Sequence, residues 1–138
     1  MRKASNIILL VGAIISIVTA LIFLIMGIVF TLAGQLPTEE VIKGLSDGTY
    51  TTTISGTPEE QALAIKAVST GLGVFFLLAT VFNIVNTVLA FVARSKKSTG
   101  LYVANIVFGV LSMTEVTIVG GIFGLVANST EKNNPVVE

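Results

Sequence analysis

The stretch LYVANIVFGVLSMTEVTIVGGIFGLVA, residues 101–127, decides the C-terminal fold, because one carboxylate interrupts an otherwise uncharged run. As a single helix it would measure about 40 Å, which exceeds the ~30 Å hydrocarbon core of a bilayer. Glu115 would then lie near the midplane, at a cost of about 3 kcal/mol or more unless it is paired or protonated. As a hairpin, helices over about 101–113 and 117–128 flank a polar turn, SMTEVT. We favour the hairpin, although its turn contains neither glycine nor proline; the alternative makes Glu115 a coupling acid inside the membrane.

The composition points to a membrane protein. Of the 138 residues, 53% are hydrophobic and 12% are charged, whereas soluble domains carry about a quarter charged residues. The net charge is zero and the cations form only small clusters, so nucleic acid is not an expected partner. Cysteine, histidine and tryptophan are absent, which excludes disulfides, thiol nucleophiles and imidazole chemistry. We therefore expect no enzyme activity, no catalytic residue, no cofactor and no metal.

Two further stretches predict membrane spans. Residues 7–32 carry no charge and are long enough to cross a bilayer. A cleaved signal peptide is the competing interpretation, but signal cores run only about 7–15 residues, so a retained anchor is favoured. The second span covers residues 67–93. TPEE, residues 57–60, is typical of a capping box that has proline at the first helical position, so we expect this helix to begin near Pro58.

The segment 34–66, here called the acidic segment, is the only substantial polar part of the chain. PTEEVIKGL predicts a short helix with Thr38 as its cap. The β-branched run TYTTTI, residues 49–54, predicts an extended piece between two turns. We expect the segment to form a small subdomain that contacts a partner. The candidate interaction residues are Glu39, Glu40, Asp47, Tyr50, Glu59 and Glu60.

The basic residues predict the orientation. Arg2 and Lys3 precede the first span, and ARSKK, residues 93–97, follows the second. The positive-inside rule places both clusters, and with them the N-terminus, in the cytoplasm. The acidic segment then lies outside the cell.

Small and polar residues recur at helical spacing within the spans. Small residues let helix backbones approach closely, which serves packing within one chain, the favoured interpretation, or a homo-oligomer; the packing candidates are Gly12, Ser16, Ala20, Gly120 and Gly124. Amides and hydroxyls facing lipid would lack partners, so we expect an inward-facing polar seam between helices. The seam candidates are Thr80, Asn83, Asn86, Thr87, Asn105 and Ser112. A polar transport path is the alternative.

The motifs RKASNIILLVGAI, ARSKK, GLYVANIVFGVLS and VGGIFGLVANS, with the acidic segment between the first two, resemble a family of small membrane proteins of Gram-positive bacteria, the domain-of-unknown-function 4064 family. The resemblance covers nearly the whole chain. It implies a single all-α membrane domain, a four-helix transmembrane bundle whose third and fourth helices form a short hairpin. It implies no activity. This sequence departs from the family in its Glu115 at the turn and its longer outer loop.

Three functional hypotheses follow. The first is a non-enzymatic accessory protein of the cell membrane that binds a membrane or envelope protein, such as a toxin to which it gives immunity, through the acidic segment. The second is a small ion- or proton-coupled transporter or channel that uses Glu115 and the Asn83/Asn86 seam. The third, an enzyme with paired acids, is least favoured because Glu39–Glu40 and Glu59–Glu60 are typical of first-turn helix charges.

Overall fold

The computed structural model describes residues 2–133, which form five α-helices and no β-strand. The helices are α1 (Arg2–Gly34), α2 (Thr38–Ser46), α3 (Pro58–Lys96), α4 (Thr99–Leu111) and α5 (Glu115–Asn133). The prediction of an all-helical chain is therefore confirmed. The helix additional to the four of the predicted bundle is α2, which lies inside the acidic segment.

Helices α1 and α3 are each long and apolar enough to cross a membrane. Their large apolar side chains point outward: Ile7 is 63% exposed, Ile25 62% and Leu32 60%. Soluble monomers rarely expose contiguous apolar patches larger than a few hundred Å². The structure thus presents an apolar exterior along its two longest helices.

The chain divides into two compact units, whose boundaries fall inside α1 and α3. The first comprises Met1–Ile22 with Ala79–Glu138. Its interior is built from small and polar residues: a cluster of Leu9, Ala13, Ala90, Ala93 and Tyr102 is buried together with serine, threonine and asparagine side chains. Polar and small residues inside with apolar residues outside is the packing expected of helices that associate in lipid.

A tight turn separates α4 from α5 in this unit. The amide of Thr114 donates to the carbonyl of Gly109 (2.9 Å), and the amide of Met113 donates to that of Val110 (3.2 Å). This is the Schellman arrangement, in which the residue after the cap adopts a left-handed conformation. Met113 takes that place with φ +56°. The turn therefore forms without glycine or proline, and the flanking helices end at Leu111 and begin at Glu115 rather than at 113 and 117.

The second unit comprises Phe23–Leu78. Here α1 and α3 approach each other at glycines: a Cβ on Gly73 would lie 2.7 Å from the backbone nitrogen of Thr31, and one on Gly27 would lie 2.8 Å from Cγ of Leu77. Phe76 packs beside Phe23, with ring centroids 5.4 Å apart. Close backbone approach thus defines this part of the fold.

The local predictions for the acidic segment have different outcomes. Thr38 is wrong as the cap of α2, because Pro37 holds the N-cap position without a side-chain cap hydrogen bond and the helix begins at Thr38. The capping box is confirmed: the Thr57 amide donates to Glu60 Oε2 (3.0 Å), the Glu60 amide donates to Thr57 Oγ1 (3.3 Å), and α3 begins at Pro58. The predicted extended piece over TYTTTI contains no β-strand: residues 51–55 lie in neither helix nor strand. A strand needs a partner for its backbone groups, and the described residues offer none there.

Candidate functional site

The polar interior of the first unit is concentrated around the turn between α4 and α5. Six buried residues, here called the polar cluster, meet there from α1, α3, the turn and α5. They are Ser16, Asn83, Asn86, Ser112, Thr114 and Thr117. Each is at most 4% exposed, and buried polar atoms usually find a hydrogen-bond partner within the protein.

Asn86 contacts three other members of the polar cluster. Its Nδ2 lies 2.9 Å from Thr117 Oγ1, 3.1 Å from Ser112 Oγ and 3.3 Å from Ser16 Oγ. One amide therefore contacts α1, the turn and α5. An amide facing lipid would lack these partners, which explains why this face of α3 points inward.

Asn83, almost one turn earlier on α3, binds the turn itself. Its Nδ2 donates to the carbonyl of Ser112 (3.3 Å), and its Oδ1 accepts from the hydroxyl of Thr114 (3.2 Å). The same amide also donates to the carbonyl of Ala79 on its own helix (2.9 Å). The two asparagines thus hold the Schellman turn against α3.

The structure brings together only half of the predicted seam. Asn83, Asn86 and Ser112 meet, whereas the hydroxyl of Thr87 donates to the carbonyl of Asn83 within α3 (2.9 Å). Thr80 is buried. The three residues that meet therefore form a compact hydrogen-bonded group rather than a continuous stripe along the helices.

Two amides retain unsatisfied atoms. Both side-chain polar atoms of Asn105 on α4, and Oδ1 of Asn86, are buried without a partner among the described residues. Buried amides are nearly always hydrogen-bonded, to ordered water where protein groups are absent. A water or a polar ligand at these three atoms would supply the missing hydrogen bonds.

Glu115 lies apart from the polar cluster. It is the first residue of α5 and is exposed, and it forms no hydrogen bond or ion pair with another residue of the range 2–133. A carboxylate in the first turn of a helix interacts favourably with the helix dipole. Glu115 therefore lies where the turn passes into α5.

The predicted packing residues contact other helices of the same chain. A Cβ on Gly12 would lie 2.6 Å from Cγ2 of Thr117, and one on Gly120 would lie 2.9 Å from Leu9; Gly124 contacts the ring of Tyr102. Ser16 and Ala20 are also buried. Gly120 and Gly124 thus pack against different helices, α1 and α4.

The acidic segment has its own network in the second unit. The ring of Tyr50 packs on the buried Gly44, and its amide donates to the Gly44 carbonyl (2.8 Å). Nε2 of Gln61 on α3 donates to the carbonyls of Ile54 and Gly56 (3.0 and 3.2 Å). Lys66 Nζ donates to Thr38 Oγ1 (3.1 Å) and so ties α3 to the start of α2. The loop is therefore fastened at both of its ends.

The five acids of this segment are all exposed: Glu39, Glu40, Asp47, Glu59 and Glu60. Hydrogen bonds from the hydroxyl and the amide of Thr49 hold the pKa of Asp47 below its ordinary value, and the amide contact measures 3.0 Å. Gly48 between them has φ +79°, which glycine adopts without strain. The acidic face is thus presented by an ordered turn and two helix starts.

A cavity of about 210 Å³ lies beneath Tyr50. It is lined mostly by apolar groups of α1, α2 and α3, namely Ala33, Leu36, Val41, Tyr50, Ile65 and Ser69. Tyr50 lines the cavity and is 40% exposed. Tyrosine in that position is typical of interaction surfaces.

The two places differ in the chemical groups that they present. The polar cluster contains only hydroxyls and neutral amides. Within residues 2–133, no group of three or more histidine, cysteine, aspartate or glutamate side chains is arranged to hold a metal ion. What the polar cluster offers is hydrogen bonding, and what the acidic segment offers is negative charge on an ordered surface.

Sequence reasoning did not assign three members of the polar cluster to it. Ser16 was predicted as a packing residue, and Thr114 and Thr117 only as turn residues. One signal was present: Ser16 is a hydroxyl within an apolar span, and such groups bond across helices or back to their own helix. Its distance from Thr114, 98 positions along the chain, gave no local indication of the contact.

Comparisons of the chain with protein-family models, with curated proteins and with solved structures give no match. The resemblance to a family of small Gram-positive membrane proteins therefore stays a prediction.

Proposed function

We propose that this chain is a multi-pass protein of a bacterial cell membrane that recognises a partner protein through its acidic segment. The partner is a membrane or envelope protein with a basic face, and a toxin against which the chain protects is one such partner. The observation that carries the proposal is the ordered acidic segment: its acids are exposed while hydrogen bonds from Gln61 to the Ile54 carbonyl and from Lys66 to the Thr38 hydroxyl fasten it. An ordered surface loses less conformational entropy on binding than a flexible loop.

Membrane embedding is supported by the distribution of side chains. Large apolar residues of α1 and α3 lie outside, and asparagine, serine and threonine lie inside. In water that arrangement would expose apolar surface and bury polar groups, both at a cost. In lipid the outward surface costs nothing and the inward hydrogen bonds hold helices together.

The orientation and number of crossings are testable because the chain contains no cysteine. Single substitutions Glu40→Cys, Met113→Cys and Lys96→Cys probe the acidic segment, the α4–α5 turn and the cationic end of α3. With a cytoplasmic N-terminus and four crossings, a membrane-impermeant maleimide labels positions 40 and 113 in intact cells and position 96 only after lysis. Labelling of position 96 in intact cells together with protection of position 40 would reverse the orientation.

Partner recognition is tested by co-purification. Deleting residues 38–56 is expected to abolish recovery of a stoichiometric partner from detergent extracts. A sharper variant neutralises Glu39, Glu40 and Glu59 together to glutamine, since none of the three carboxylates makes a hydrogen bond or ion pair with another described residue. At about 0.5 kcal/mol for each exposed charge, affinity should fall about tenfold.

Lys43→Gln is the matched control, because it removes a charge of opposite sign from α2, the helix that carries Glu39 and Glu40. It should leave partner affinity unchanged or raise it. Partner recovery that survives both the deletion and the triple neutralisation would end the proposal.

A second candidate is an ion- or proton-coupled transporter that uses Glu115 with Asn83 and Asn86. The unsatisfied polar atoms of Asn105 and Asn86 favour it, since such atoms can line a path for water or an ion. The other groups of the polar cluster argue against a transport path, and so favour the recognition proposal, because they bond to one another and carry no charge. A proteoliposome flux assay separates the two: transport requires flux above protein-free vesicles that falls in Glu115→Gln.

A further inference from the structure

A groove of about 320 Å³ lies between α1 and the C-terminal end of α3 in the first unit. Its lining is Asn6 of α1 with Phe91, Arg94 and Ser95 of α3. The groove therefore combines one guanidinium, one amide and one hydroxyl with an aromatic wall. Phe91 is 44% exposed, so that wall is continuous with the apolar exterior of α3.

Arg94 is the unusual member of this lining. Its side chain is partly buried, its Nε is inaccessible to solvent, and it makes no hydrogen bond or ion pair with any other residue in the range 2–133. The Nε of Arg2 is also buried without a partner, but an Nη atom of Arg2 pairs with Glu131 and donates to Oδ1 of Asn128 (3.2 Å), contacts that Arg94 lacks. A partly desolvated guanidinium without a partner is costly unless an anion completes the site.

The chemistry of the groove selects the anion. A guanidinium donates two parallel hydrogen bonds to a phosphate, which makes arginine the preferred residue for this group. Asn6 makes no hydrogen bond to the described residues, so its amide is available to donate a further bond. Lys96 and Lys97 follow directly on the chain and add positive charge at this end of α3.

We propose that this groove binds the phosphate of an anionic phospholipid. The exposed ring of Phe91 favours a lipid over free phosphate, because acyl chains leaving the headgroup would contact that ring and the apolar flank of α3, and free phosphate has nothing to place there. Basic grooves at the cytoplasmic ends of membrane helices are suited to such headgroups. The proposal rests on membrane embedding, not on partner recognition.

Native mass spectrometry of the full chain in a neutral detergent tests this directly. Phosphatidylglycerol should be retained one to one and phosphatidylcholine should not. Arg94→Gln should weaken retention about tenfold, since one charge-assisted pair is lost, and Asn6→Ala should weaken it several-fold. Lys132→Gln, which removes an exposed cation of α5 outside the groove lining, should change retention by about twofold at most, because salt screens exposed charges.

Inorganic phosphate at millimolar concentration distinguishes the two sources of the anion. It should not displace the lipid; displacement would assign the groove to free phosphate and overturn the proposal. Equal retention by the wild-type chain, Arg94→Gln and Asn6→Ala would also overturn it, as would equal retention of both lipids. Asn6 has no protein hydrogen bond to lose, so its variant stays informative if Arg94→Gln fails to fold. No partner protein enters this assay, so its failure leaves the recognition experiment untouched.

Discussion

The side-chain amide of Asn86 on α3 lies 2.9 Å from the hydroxyl of Thr117 on α5, and this hydrogen bond joins residues 31 positions apart. The same amide reaches the hydroxyls of Ser112 and Ser16. One side chain therefore connects the turn and α1, α3 and α5 of the first unit. Its removal should cost more than the loss of any single hydroxyl.

Asn86→Leu should lower the free energy of unfolding by about 1–2 kcal/mol. Interhelical hydrogen bonds in lipid average about 0.6 kcal/mol each, and three contacts are lost while their hydroxyl partners stay buried. The measurement is reversible unfolding in mixed micelles. Thr87→Val is the control, because the Thr87 hydroxyl bonds only within α3 and its loss should cost little. Equal stability of the two variants would contradict the role assigned to Asn86.

Gly73→Ala should destabilise the second unit, whereas Gly71→Ala, two residues earlier on the same helix, should not. A Cβ at position 73 would lie 2.7 Å from the backbone nitrogen of Thr31, which cannot move without separating α1 from α3. The expected loss is about 1–3 kcal/mol, as for overpacked interiors. At position 71 nothing lies within 4 Å, so alanine should be neutral or add up to about 1 kcal/mol. The same sign for both variants in an unfolding titration would refute the close approach.

Met113→Gly should stabilise the protein by up to about 1 kcal/mol. Met113 holds a left-handed conformation, φ +56°, which costs a residue with a Cβ about 1 kcal/mol and costs glycine nothing. Its side chain is 70% exposed, so little packing is lost. Met113→Ala keeps the Cβ and serves as control for the lost side chain. If glycine proved less stable than alanine in the same unfolding assay, the turn would not have this conformation.

Asp47 should contribute a pH dependence to the stability of the acidic segment. Hydrogen bonds from the Thr49 hydroxyl and amide favour the ionised form, so the pKa in the folded state is below the unfolded value of 3.8. The stabilisation is complete above that unfolded value and is lost as the pH falls through the lower folded pKa. Thr49→Ala should raise the pKa of Asp47, measured by carboxyl NMR. Ser46→Ala should not, because the Ser46 hydroxyl donates to the Lys43 carbonyl instead.

Local signals were sufficient wherever the decisive interactions were close in sequence. The capping box joins Thr57 to Glu60 across three residues, and the start of α3 followed from it. Gly44 and Tyr50 are six residues apart, yet their contact was not foreseen and an extended run was expected instead. A pattern of β-branched residues does not reveal whether a partner strand exists.

The sequence by itself determined that the chain is helical, where its two long apolar helices lie, and that negative charge is concentrated between them. Those properties depend on composition and on residues within one or two helical turns. Only the tertiary structure decided which polar residues of the spans meet. Asn86 pairs with Ser16 because α1, α3 and α5 approach at small residues such as Gly12, where a Cβ would lie 2.6 Å from Thr117. Helical periodicity specifies the face of a residue but not its partner, since depth along the helix and the neighbouring helix are set by packing between distant segments.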